Sequence, residues 1–144
     1  MKKRIVALIC LVAVCMSIPI VTPAKATNVG NAIPNQPPGR WTNVSVVALN
    51  ITFSSGTAYC DGTIVAKSDV IRIEATFQLQ KKNASGSFVT EYTWPKVTVN
   101  DNYLTWSGSR TVTPGVFRLQ VTAIATNRSN VSETVVTYCE KEYK

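Results

Sequence analysis

Val112-Thr113-Pro114-Gly115-Val116-Phe117-Arg118-Leu119-Gln120-Val121-Thr122-Ala123-Ile124-Ala125-Thr126 decides the fold. Proline presets φ and glycine accepts positive φ, so Pro114-Gly115 reads as a turn. After it, Phe117, Leu119, Val121, Ala123 and Ala125 fall on one face. Arg118, Gln120, Thr122 and Thr126 fall on the other, with Ile124 the exception. A period of two is the mark of a half-buried strand.

The same alternation spreads outward in both directions. Upstream, Val44–Phe53 puts Val47, Leu49, Ile51 and Phe53 on one face, and Thr57–Ala66 puts Ala58, Cys60, Gly62, Ile64 and Ala66 on one face. Val70–Gln80 alternates Ile71, Ile73, Ala75, Phe77 and Leu79 with polar residues. In Ser87–Trp94, Phe88, Tyr92 and Trp94 share a face, and Pro95 stops the strand or confines it to an edge. Lys96–Asn100 reads as a short strand, and Tyr103–Val112 points Leu104 and Trp106 together. Downstream, Glu133–Tyr143 places Val135, Thr137 and Cys139 on one face. Turn residues separate the segments, and no 3.6 period runs through them. Seven to eight short antiparallel strands at this spacing predict an all-β fold, a β-sandwich of immunoglobulin-like type.

The start of the chain stands outside the pattern. Met1-Lys2-Lys3-Arg4 is basic, Ile5 to Val21 is apolar apart from Ser17 and Pro19, and Ala24-Lys25-Ala26 is an A-x-A cleavage site. Residues 1–26 therefore read as a signal peptide cleaved after Ala26, residues 27–40 as a flexible Pro/Asn-rich linker, and residues 41–144 as the domain. The short basic leader points to a bacterial protein, secreted to the extracellular side. The 144-residue chain carries +7. Lys2, Lys3, Arg4 and Lys25 leave with the leader, so about +3 remains, with the charges interspersed. That balance gives no reason to expect nucleic acid or, after cleavage, a membrane as partner.

Cys10 and Cys15 also leave, and Cys60 and Cys139 remain. An even pair in an exported protein predicts a disulfide. It would close a loop of about 79 residues, and chain entropy values that at about 4.5 kcal/mol.

Several short signatures coincide over about residues 58–139. They are Cys60 on the second strand, Leu79-Gln80-Lys81-Lys82, Gly86-x-Phe88, Trp94, and Gly115-x-Phe117-Arg118-Leu119. Together they resemble a family of small uncharacterised exported proteins of Gram-positive bacteria, each with a leader and one β-sandwich domain. The family pattern carries a tryptophan and a tyrosine where Phe88 and Phe117 stand. Aromatic bulk is kept and a polar tip is lost, which implies a packing role for both. The resemblance implies a fold and no reaction.

The chain has no histidine. Ser-His-Asp and Cys-His catalysis, His-ligated zinc and the commonest general base go with it. Two cysteines cannot build a four-thiolate site, and no glycine-rich phosphate loop is present. Most of the eight carboxylates fall at solvent-facing positions or turns, so the facing pair of a glycosidase is not expected. Asn100-Asp101-Asn102 reads as a turn before it reads as a Ca²⁺ site. The expectation is a non-enzyme with no cofactor and no metal. Five N-x-S/T sequons, at Asn43, Asn50, Asn83, Asn127 and Asn130, follow from abundant Ser and Thr.

Aromatics carry the functional hint. Trp41, Trp94 and Tyr92, with Trp106 and Tyr103 nearby in the chain, are candidates for a stacking surface. The competing reading places them in the core, since Trp94 shares its face with Phe88 and Trp106 with Leu104. The expected function is a monomeric, disulfide-stabilised, non-catalytic binding module. Its partner would be a cell-envelope polysaccharide or another secreted or surface protein. The alternative is a secreted antimicrobial or toxin-like effector, with a hydrolase behind it.

Overall fold

A computed structural model describes residues 41–144. The leader and linker expected over residues 1–26 and 27–40 lie outside the described residues.

Among the described residues eight strands follow one another: β1 (Val44–Ser54), β2 (Thr57–Ala66), β3 (Val70–Lys82), β4 (Phe88–Thr93), β5 (Val97–Val99), β6 (Tyr103–Thr111), β7 (Gly115–Asn127) and β8 (Ser132–Tyr143). They form two antiparallel sheets, one ordered β1-β2-β6 and the other β4-β3-β7-β8, with β5 also paired to β3. The sheets face each other as a β-sandwich. The strand after Pro114-Gly115 is β7, at the centre of the larger sheet. Its Val121 lies opposite Phe77 of β3, and its Leu119 lies between Leu79 and Cys139.

Alternation sets the faces. Phe117, Leu119, Val121, Ala123 and Ala125 are fully buried, and Ile124, the exception in the pattern, is exposed. Facing them from the smaller sheet are Val47, Leu49, Ile51, Ala58, Cys60, Ile64 and Leu104. Phe77 stacks on Trp106 of β6 with centroids 3.9 Å apart and planes 7° apart. Phe53 bridges the sheets at one end, 5.5 Å from Phe117 and 5.0 Å from Tyr143. Gly62 of β2 leaves the room this packing needs, because a Cβ there would lie 2.5 Å from Cε1 of Phe77.

The turns follow side-chain chemistry. Ser55 and Gly56 take φ of 48° and 75°, the pair a type I′ hairpin turn requires. Oδ1 of Asn127 accepts the N–H groups of Ser129 and Val131, and Oδ1 of Asn83 accepts that of Ser87. Asn43 is no exposed sequon: its buried amide donates to the carbonyls of Ala125 and Val131.

Three expectations are corrected. Ile71 does not share the buried face of Ile73 to Leu79: the register with β7 shifts between Val70 and Arg72, and Ile71 is exposed. Phe88, Tyr92 and Trp94 do not share one face. β4 pairs with β3 as Phe88 to Lys82 and Thr90 to Gln80, then shifts, so that Tyr92 meets Leu79. A bulge at Glu91 inverts the alternation. Phe88 is thereby on the outer face with Lys82, and Tyr92 and Trp94 turn inward.

The expected bridge between Cys60 and Cys139 is absent as well: both are buried free thiols. Parity places each inside, but β2 is the middle strand of its sheet and β8 an edge strand of the other. The strand lying against β8 is β1. Facing sheets stand about 10 Å apart. A disulfide needs Cα atoms within about 4.4–6.8 Å, which an offset by one strand works against.

Candidate functional site

Trp94 and Tyr92 meet edge to face, with centroids 5.1 Å apart, and Trp94 meets Trp106 at 4.9 Å. With Phe77 beyond, the rings form a row that crosses from β4 to β6 and closes that side of the sandwich. Trp94 is buried in the row. Tyr92 is half-buried under the guanidinium of Arg110, 4.2 Å from its centroid. Gly108 permits the crossing, since a Cβ there would lie 2.6 Å from Trp106 and 2.8 Å from Nε1 of Trp94.

Trp41 belongs to the other end of the core, where it is half-buried. Two residues on, Asn43 bonds to Ala125, whereas Tyr92 lies opposite Leu79, the partner of Leu119. From Leu119 to Ala125 along β7 is about 20 Å at ~3.3 Å per residue. The structure thus joins Tyr92 to Trp94 and places Trp41 apart, so the three candidates do not make one surface.

A different group of residues is assembled on the outer face of the larger sheet. The Arg118 guanidinium lies 3.9 Å from the Phe88 centroid on one side and 3.9 Å from the Tyr138 centroid on the other. Glu140, its cross-strand partner, accepts from Nε at 3.0 Å and from Nη2 at 2.6 Å. Both the faces and one edge of the guanidinium are therefore occupied, and the long side chain is held in one geometry. Tyr138 remains exposed, as do Val136 and Ile124 further along the same face. The far end of that face carries Glu74 with Lys96 at 2.7 Å and Arg72 at 2.9 Å. The Lys96 hydrogen bond, with help from Arg72, holds the Glu74 carboxyl below its usual range.

The outer face of the smaller sheet offers a second feature. Tyr59, Asp61, Ser107, Gly108 and Ser109 line a shallow recess of about 280 Å³. Tyr59 is exposed beside it.

Glu133 works as a clip. Its carboxylate accepts the N–H groups of Thr42 at 2.6 Å, Asn43 at 2.7 Å and Val44 at 3.2 Å, tying the start of β1 to β8. Partial burial pushes its pKa up, but the three donors outweigh that and hold it below the usual carboxylate range. The thiols behave oppositely. Burial, then Cys139 and Asp61, push Cys60 up to about 12, and burial pushes Cys139 up to about 11. Neither is a thiolate nucleophile at neutral pH.

Sequence reasoning missed Tyr138 and the Phe88, Arg118, Glu140 grouping. Phe88 and Arg118 stood in separate signatures, and only the register of three strands brings them together. Compared with models of known protein families and with curated proteins, the chain matches none of them.

Proposed function

We propose that this chain is an exported, non-catalytic binding module of immunoglobulin-like topology that attaches to a protein of the bacterial cell envelope. The strand order β1-β2-β6 against β4-β3-β7-β8 supports the topology. The leader over residues 1–26 supports export, and the motifs over residues 58–139 support the Gram-positive family. The observation that carries the binding reading is the Phe88, Arg118, Tyr138 stack. Tyr and Arg are the residues that dominate protein interfaces, and here they are immobilised before any partner arrives. Pre-ordering removes side-chain entropy from the cost of association. The surrounding face exposes Val136 and Ile124, apolar area that suits a protein surface better than a small molecule.

A second reading rests on the recess. An exposed Tyr59 ring, the Asp61 carboxylate and the hydroxyls of Ser107 and Ser109 are the groups a neutral sugar would use, through ring stacking and hydroxyl hydrogen bonds.

Co-sedimentation separates the two. The exported protein is mixed with Gram-positive cell walls that keep their surface proteins, and with walls stripped by detergent and protease. On the leading reading it pellets with the first and not the second, and Arg118→Ala or Tyr138→Ala weakens pelleting about 30-fold, the weight of a ~2 kcal/mol hot spot. Pelleting with stripped walls, lost in Tyr59→Ala and Asp61→Asn, transfers the function to the recess. If neither wall preparation pellets the protein, envelope binding is wrong and a released effector takes its place.

A further inference from the structure

We propose that the free edge of β1 pairs with β1 of a second copy of this chain, antiparallel and centred on Asn50, joining two three-stranded sheets into one of six. The proposal does not depend on the binding face, which lies on the other sheet.

An unpaired strand edge is a template for another chain, and proteins normally blunt it with charge, proline, a bulge or brevity. Three of the edges here are blunted. β8 carries Glu133, Glu140, Lys141 and Glu142. β4 is six residues long, holds Glu91 and bulges there, and β5, beside it, has three residues. β6 carries Arg110, and the row of Tyr92, Trp94 and Trp106 packs along that side. β1 differs. Val44–Ser54 is the sequence VSVVALNITFS, with no charged residue and no proline, and among the described residues it pairs only with β2. Its one irregularity lies between Val44 and Val46, and from Val46 to Ser54 the register is unbroken.

The hairpin turn fixes which groups are free. Ser54 and Thr57 flank the two-residue turn and form its hydrogen-bonded pair. Alternation then directs the N–H and C=O groups of Thr52, Asn50 and Ala48 toward β2 and those of Phe53, Ile51, Leu49 and Val47 outward. A second copy related by a two-fold axis presents the same groups in reverse. The midpoint of the regular stretch from Val46 to Ser54 is Asn50. Centring there sets Leu49 against Ile51 of the second copy and Val47 against Phe53, core-facing side chains on one face, of which Phe53 is half-buried and the others are buried. On the other face Ala48 meets Thr52, and the two Asn50 amides meet on the axis. No cross-strand pair is charged, so nothing repels. β8 lies against β1 from the other sheet, and its Glu133 holds the N–H groups of Thr42 to Val44, ahead of the regular stretch from Val46 to Ser54 that the second copy meets.

In this register the two Asn50 residues form a non-hydrogen-bonded pair with Cα atoms about 4.5 Å apart, within disulfide reach. The two Thr52 residues lie four positions out of step, about 13 Å apart. The test uses the exported protein with oxidised glutathione as oxidant, on Asn50→Cys, Thr52→Cys and the parent, read on a non-reducing gel. Asn50→Cys forms a covalent dimer, whereas Thr52→Cys and the parent, whose thiols are buried, do not. Sedimentation equilibrium of the unmodified protein shows a dimer below ~0.1 mM, as expected for a small transient interface. Asn50→Lys, which sets two lysines on the axis, weakens it at least tenfold with an unchanged far-ultraviolet spectrum. Equal cross-linking of Asn50→Cys and Thr52→Cys overturns the register. A monomer at every concentration up to ~0.1 mM overturns the pairing.

Discussion

Gly62→Ala is a one-carbon change whose cost can be worked from the packing. The added Cβ would lie 2.5 Å from Cε1 and 2.9 Å from Cζ of Phe77, and 3.4 Å from Cδ2 of Leu49. Carbon atoms in contact prefer about 3.5–4.0 Å, so the ring has to retreat by about 1 Å. It has nowhere to go, because it is fully buried and already stacked on Trp106 at 3.9 Å. Overpacking of this kind costs about 1–3 kcal/mol, and the rigidity of the stack argues for the upper part of that range. Replacing glycine returns about 0.4–1 kcal/mol by restricting the unfolded chain. The net loss is about 2 kcal/mol, or a fall in Tm of roughly 8–16 °C for a domain of this size. Urea unfolding followed by tryptophan fluorescence measures it. The mechanism is checked in a Phe77→Leu background, where the space is open and Gly62→Ala should cost under ~0.5 kcal/mol. A loss of the same size in both backgrounds would refute the clash as its cause.

The Glu133 clip predicts a pH dependence. Its folded pKa is depressed, so its contribution is complete above the ordinary carboxyl value of about 4.3 and is lost as pH falls through the folded value. Glu133→Gln should cost about 1–3 kcal/mol at pH 7, since the buried Asn43 N–H loses its charged acceptor. The difference from the parent should narrow in urea titrations near pH 3. Cys60 and Cys139, with thiols raised to about 12 and about 11, should stay silent to an aromatic disulfide reagent at pH 8 until denaturant is added. Rapid native-state labelling would contradict their placement. Arg118→Lys keeps the charge and loses the planar stack, so it should destabilise by about 1 kcal/mol in thermal unfolding. No change would mean that the two rings hold their places without the guanidinium.

Strand positions and most faces were legible because a half-buried strand writes its burial into every second residue. Val116–Thr126 shows this down to its exposed Ile124, and Val70–Gln80 shows it from Ile73 onward, Ile71 being exposed where the register with β7 shifts. What a strand does not write is its partner. Alternation alone puts Phe88 on one face with Tyr92 and Trp94, because the bulge at Glu91 is defined only against β3. Alternation puts Cys60 and Cys139 on the inner faces, where both are buried, yet their pairing depends on which strand of one sheet lies against which of the other. The grouping of Phe88, Arg118 and Tyr138 depends on three registers at once, β3 with β4, β3 with β7 and β7 with β8, and one sequence fixes none of them.

Glu91 gives this domain an unusual mode of variation. Whether the first half of β4 shows its side chains to solvent or to the interior depends on the parity of the residues between Phe88 and Trp94. Losing one codon there would carry Phe88 off the exterior and dissolve the Arg118 stack in a single event, with no intermediate. Gaining one would do the same, whereas losing or gaining two would keep Phe88 on the exterior. Lineages carrying this hairpin should therefore differ in its length by even numbers where the exterior is under selection, and by odd numbers where it has been abandoned. Insertions and deletions, rather than substitutions, then become the record of when that exterior was in use.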